Sequence, residues 1–215
     1  MMTSRTKWKR GGCMAAALVL AGAFWASTGA AQPITDYTAD QVVTGAKGKV
    51  EQESKVTVSG DRIRLDRVRP ADPKMSFIFR RDAKQAVTIN ASKKVYFEGP
   101  LDEKAFAEAF GLPLAAKAER AAGEEAVSGF PGTKKEVDQE IDFKKAKKTV
   151  TSTVWSSDRL NLPLRVKTPE NLVIELKNIK EGKVDASLFD APKDFKKAAA
   201  LKDVLPSDPF LDDDD

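Results

Sequence analysis

The chain has 215 residues, with 36 lysines and arginines against 32 aspartates and glutamates, 1 cysteine and no histidine. The missing histidine excludes Ser-His-Asp catalysis, His-ligated zinc and imidazole proton shuttles. The formal charge of +4 belongs to the leader: Arg5, Lys7, Lys9 and Arg10 precede any acidic residue, so beyond position 31 the two signs balance. A balanced chain has no electrostatic case for a nucleic-acid partner.

Those four cations open a secretory signal. Cys13–Trp25 (CMAAALVLAGAFW) is an uncharged apolar run, too short and wrongly flanked for a transmembrane helix, and Ser27–Ala31 (STGAA) supplies small residues for cleavage after Ala31. Cys13 stands at the start of that run, not at its end where a lipidated cysteine would stand. The exported chain then has no cysteine for a disulfide, a metal or a nucleophile, and no lipid anchor. It is expected in the periplasm or outside the cell, as one domain over residues 32–201 with an acidic, disordered segment over 202–215. No further run of 18 apolar residues follows.

The clearest pattern runs from Val56 to Pro100. Short alternating runs separated by polar turns predict strands over Arg62–Val68, Lys74–Arg80, Gln85–Asn90 and Lys94–Gly99, after two earlier ones over Ile34–Thr44 and Lys49–Ser59. In RIRLDRV, Ile63 and Leu65 face one side, and Arg62, Arg64 and Asp66 the other. Such alternation is that of an antiparallel meander with one wet face. The period then changes: Leu101–Phe110 (LDEKAFAEAF) reads as a helix with Phe106 and Phe110 on one face, stopped by Gly111 and Pro113. Alanine-rich Leu114–Ala122 reads as a second short helix. Strand signals resume over Glu125–Gly129, Lys134–Phe143, Lys148–Trp155, Pro163–Lys167 and Asn171–Ile179, and the lysine-rich stretch to Leu201 reads as a helical turn. The fold class is mainly β (α+β), a curved antiparallel sheet covered by short helices.

The order VSGDRIRLD, FIFRRDAKQAVTINASKKVYFEG, WSSDRLNLPLR and LKNIKEGKVDASLFDAPKDFKK resembles LolA-like domains, and more closely an uncharacterised bacterial branch of exported proteins with that fold. The resemblance covers roughly Tyr37 to Lys197. It implies an incomplete barrel, in which a strongly curved antiparallel sheet wraps an apolar hollow and helices close the mouth. In LolA and LolB that hollow holds acyl chains. Their gating residues have no one-to-one match here, so no such role is transferred.

Met75, Phe77, Phe79, Val87 and Ile89, with Phe106, Phe110 and Trp155, are the candidate lining of a ligand hollow. Alternation alone says only that one face is buried, so plain core beneath the helices fits the same residues. Two short helices over a sheet would leave apolar area uncovered, and leftover area of that kind marks binding cavities. Arg62, Arg64, Arg80 and Arg81 read as wet-face partners of Asp66 and Asp82. Glu124-Glu125 and Asp102-Glu103 are sequence neighbours, which suits loops and a helix terminus rather than acid–base work. The aspartate tail lacks the spaced oxygens of a calcium loop. The chain is thus expected to be non-catalytic, without cofactor or metal. Its expected ligand is a lipid or lipoprotein acyl chain, and an outer-membrane or envelope protein is the candidate partner. An interaction or sensor domain with a filled core is the alternative, distinguished by whether Phe106, Phe110 and Leu114 plug the hollow.

Overall fold

We describe the fold from a computed structural model over residues 32–70, 73–143 and 146–206, with backbone alone at 142, 143 and 146. The expected signal over 1–31 and the acidic end over 207–215 lie outside the described residues.

Six consecutive hairpin-linked strands form a first meander: β1 (Asp36–Thr44), β2 (Val50–Ser59), β3 (Arg62–Arg69), β4 (Met75–Arg80), β5 (Gln85–Asn90) and β6 (Val95–Pro100). Helix α1 (Glu103–Phe110) follows. A second meander is built from β7 (Ala116–Glu124), β8 (Thr133–Phe143), β9 (Ala146–Ser156), β10 (Arg165–Lys167) and β11 (Val173–Glu181). The two join where β1 pairs antiparallel with β11, and the two-residue β12 (Lys196–Lys197) adds in parallel to β6. The result is one open sheet in the order β12-β6-β5-β4-β3-β2-β1-β11-β10-β9-β8-β7.

Hairpin register decides which face each side chain takes, because directly paired residues project to the same side. Ile63 and Leu65 pair with Phe79 and Phe77, and these with Ala86 and Thr88. The series continues to Phe97, opposite Thr88, on one side and to Val58 and Val56 on the other. All of these share the face that carries α1. Ile78 pairs with Val87, and Ile89 with Tyr96, on the opposite face. There they bury against Phe189 of the 3-10 turn Ala186–Phe189, with Val184 and Phe195 around them. The sheet therefore has two apolar faces over β4 and β5, not one apolar and one wet.

The first face is curved. Flat, the seven strands from β6 to β11 would spread over about 29 Å at ~4.8 Å per strand. Yet the one helix reaches across them. Phe106 and Phe110 pack on Phe79 of β4, and Gly111, the C-cap, sits against Ile174 of β11 and Val166 of β10. Fully buried Gln41 of β1 donates from Nε2 to the Ala109 carbonyl (2.9 Å). Asp102 Oδ1 caps the helix by accepting from the amides of Lys104 (2.9 Å) and Ala105 (3.3 Å), a contribution of about 1 kcal/mol.

The second expected helix is a strand. Alanine, lysine, glutamate and arginine favour helix weakly, but β8 offers Ala116–Glu124 a ladder along its whole length, interrupted by irregularities at Lys117 and Ala122. The charges then become cross-strand pairs: Lys117 with Glu140, Glu119 with Lys135, and Arg120 with Asp138 and Glu136. Each pair of this exposed kind stabilises little, and the ladder supplies the rest. Glu125–Gly129 forms no strand either; Val127 and Phe130 close a tight bridge there.

The C-terminal stretch also differs from the helical turn expected of it. It crosses the second face through Phe189, pairs β12 with β6, and makes a 3-10 turn over Leu201–Asp203. Residues up to 206 pack rather than trail: Val204 is fully buried and its carbonyl accepts from Asn90 Nδ2 (2.9 Å). Arg64 and Arg80 fasten this strap, donating to the carbonyls of Leu188 (2.8 Å) and Phe189 (2.7 Å). Arg64 also pairs with Asp66, while Arg62 pairs with Asp82. Two of the expected wet-face arginines thus hold the chain together.

Gly111 has φ +64° and its missing Cβ would run into Ile174. Gly111→Ala combines backbone strain with that clash, and should lower unfolding free energy by about 1–3 kcal/mol in urea titration. Glu98 accepts from Lys197 Nζ (3.1 Å) and Arg80 Nη1 (3.0 Å), and Lys197 first, then Arg80, hold its carboxyl below the ordinary 4.5. A lowered folded-state pKa stabilises fully above the ordinary value, and the stabilisation is lost as pH falls through the folded value. The urea midpoint should drop as pH falls below about 4.5. Glu98→Gln should lower the neutral-pH midpoint and flatten part of that dependence.

Candidate functional site

Between α1 and the first face of the sheet lies a hollow of about 480 Å³. Its floor is Leu65, Phe77, Phe79, Ala86 and Phe97, in the register just described. Ile174 and Leu172 close the β11 side, and Ala105 and Ala109 of α1 form the roof. Leu201 and Leu205 reach the rim from the strap that has come round the β6 edge. Both are exposed large apolar side chains, at 41% and 36%. The volume falls within the ~300–1,000 Å³ of small-molecule sites.

The hollow is open because the helix fills only one end of it. Phe106 and Phe110 stack with Phe79 in a cluster of tilted and edge-on rings, with centroids 5.2 to 6.3 Å apart. Beside that cluster α1 presents only Ala105 and Ala109 as apolar roof, and their small side chains leave the remaining space empty.

Among the described residues five polar side chains enter the lining: Gln52, Arg67, Thr88, Asp102 and Glu108. Asp102 is the helix cap, and Glu108 lies 3.8 Å from Lys104 one turn back. Arg67 continues the Ile63–Leu65 phase of β3 and so turns inward. Its guanidinium carbon lies 5.9 Å from the Phe77 ring centroid. Its buried Nε has no hydrogen-bond partner among the described residues. Among those residues no group of three or more acids converges to hold a metal.

The eight side chains expected to line a hollow separate into five places. Phe77 and Phe79 line it. Phe106 and Phe110 form the aromatic plug beside it. Met75 shares the concave phase but is buried at the end of β4 opposite Asn90, beyond the lining. Val87 and Ile89 lie across the sheet under Phe189. Trp155 is buried in the core, its Nε1 donating to Glu125 Oε2 (2.8 Å), with Arg165 and Lys134 over its ring. That bond, then Arg165, holds the Glu125 carboxyl below its usual range.

Sequence reasoning missed Arg67, Phe97, Ile174, Leu201 and Leu205. Arg67 and Phe97 were accessible to it. Arg67 is the third inward position after Ile63 and Leu65, and Phe97 falls in phase once the β5–β6 turn is counted. The two leucines depended on the strap rounding the sheet edge, for which no local signal exists.

No protein-family model and no curated protein sequence matches the chain. Solved structures do. The fold is similar to that of PNGF-II at TM-score 0.51 and 13% identity, over 79% of this chain and 33% of that one. It also resembles MucB, at TM-score 0.47 and 13% identity over 75% and 59% of the two chains. LprF from Mycobacterium bovis follows at TM-score 0.33 and 16% identity, over 70% and 88%. The chain thus spans about a third of the length of PNGF-II. Among the described residues no helix is long and apolar enough to cross a membrane. The chain thus has an open, curved antiparallel sheet with a helix set into its concave face, a fold similar to that of part of PNGF-II.

Proposed function

We propose that this is a non-catalytic binding protein of the periplasm that shelters an apolar moiety, the acyl chain of a lipid or lipoprotein, in the hollow under α1. The observation that carries this reading is the open, mainly apolar space beside the aromatic plug. A filled core, the alternative, needed Phe106, Phe110 and Leu114 to occupy it. The two phenylalanines take one end, while Leu114 is 39% exposed.

Burial alone supplies useful affinity. A dozen methylenes removed from water contribute about 10 kcal/mol at ~0.8 each. Association costs at least ~4 kcal/mol, which leaves roughly 6, a dissociation constant of tens of micromolar. Longer chains bind more tightly up to the length that the hollow holds.

Ala105 is exposed on the roof of the hollow, so a large side chain there fills the mouth without disturbing the core. Ala105→Trp should weaken binding of a dansyl-labelled fatty acid at least about tenfold, with the thermal midpoint unchanged. The protein purified from its native envelope should carry lipid detectable by mass spectrometry. Absence of both the bound lipid and the dansyl signal would overturn the reading.

A further inference from the structure

We propose that Arg67 is the head-group site of this hollow, and that the ligand is a single-chain amphiphile ending in a carboxylate, a long-chain fatty acid. This rests on the reading that the hollow takes an apolar chain, and adds which end of the ligand is recognised and by what.

Arg67 departs from the other arginines. Arg62, Arg64, Arg69, Arg80, Arg120, Arg159 and Arg165 each pair with a carboxylate, and Arg81 lies over the Phe106 ring. Among the described residues Arg67 has neither an ion pair nor a hydrogen bond, although it faces inward beside Leu65 and Phe77 and its Nε is buried. Arg67 is half-buried, and its Nε, out of reach of water and without an acceptor, carries an unrecovered desolvation cost. An anion entering with its chain recovers it. The Nε–H and a terminal N–H form the planar fork that a carboxylate accepts with both oxygens. The Phe77 ring lies 5.9 Å from the guanidinium carbon, a cation–π contact that orients the fork.

The charge of the lining selects among anions. Among the described residues Arg67 is its only cation, and Asp102 and Glu108 share the same hollow. One guanidinium pairs with one carboxylate, whose single charge meets less repulsion from those two acids than a double charge would. A phosphate monoester, with a charge of about −1.5 to −2, would leave excess negative charge beside two fixed acids. The volume of about 480 Å³ suits one chain rather than the two or three of a larger lipid.

The test is displacement of a neutral fluorescent probe from the exported chain at neutral pH by dodecanoate, dodecanol and dodecyl phosphate, in wild type, Arg67→Gln and Arg67→Lys. Wild type should bind dodecanoate about tenfold or more tightly than dodecanol, the scale of a charge-assisted pair. Arg67→Gln should erase that preference and leave dodecanol unchanged, and Arg67→Lys should keep part of it. Equal binding of acid and alcohol by wild type would overturn the role of Arg67 while the apolar hollow stands. That comparison needs no variant, so a poorly folding Arg67→Gln does not blunt it. Tighter binding of dodecyl phosphate than of dodecanoate would overturn the carboxylate assignment. Failure of all three ligands to displace the probe, with no binding of the probe itself, would remove the hollow reading along with it.

Discussion

Everything distinctive about this molecule depends on how α1 meets the concave face. An eight-residue helix is only about 12 Å long, yet it must cover the inner side of a much wider sheet. It does so unevenly. Phe106 and Phe110 commit the apolar stripe of the helix to Phe79, and Gln41 holds its last turn to β1. The remaining inner surface is left facing two alanines. The hollow is thus a consequence of putting the bulky side chains of one short helix at one end of a long curved sheet.

The outer face explains why that arrangement is stable. A sheet left wet outside would not need Ile78, Val87 and Ile89 to be buried, yet all three are. The C-terminal strap covers them with Phe189 and is fastened by Arg64, Arg80 and Glu98. The two arginines donate to backbone carbonyls of the strap, and Glu98 accepts from its Lys197; hydrogen bonds from a charged donor of this kind are worth more than exposed ion pairs. Having rounded the β6 edge, the same strap delivers Leu201 and Leu205 to the rim of the hollow. One segment therefore seals the outside and shapes the entrance to the inside.

The polar content of the hollow is small and uneven. Asp102 is committed to capping the helix, and Glu108 lies one turn along it from Lys104, 3.8 Å away. Arg67 serves no comparable structural purpose among the described residues. A residue whose position costs stability, and whose bonds are unmade, is where a ligand can restore what folding left out.

The β-strands of the first meander were legible from the sequence, because period-two alternation and short polar turns are local signals, and Gln85–Asn90 matches residue for residue. So was the helix ending at Phe110, from its paired phenylalanines and its glycine stop. What alternation cannot supply is the relation between strands. The four-residue turn Arg81–Lys84 sets Arg80 opposite Gln85, so odd positions of β4 pair with even positions of β5. Val87 and Ile89 therefore face away from Phe77 and Phe79. Ala116–Glu124 shows the other limit: its composition favours helix by tenths of a kcal/mol per residue, and the ladder with β8 outweighs that. Sequence by itself determined the strands of the first meander, the helix after them and the apolar phase of each, a phase into which Arg67 falls. Only the tertiary structure decided which phases meet, which end of the hollow the phenylalanines fill, and that the chain's last turn would reach its rim, because each depends on contacts between residues far apart in the chain.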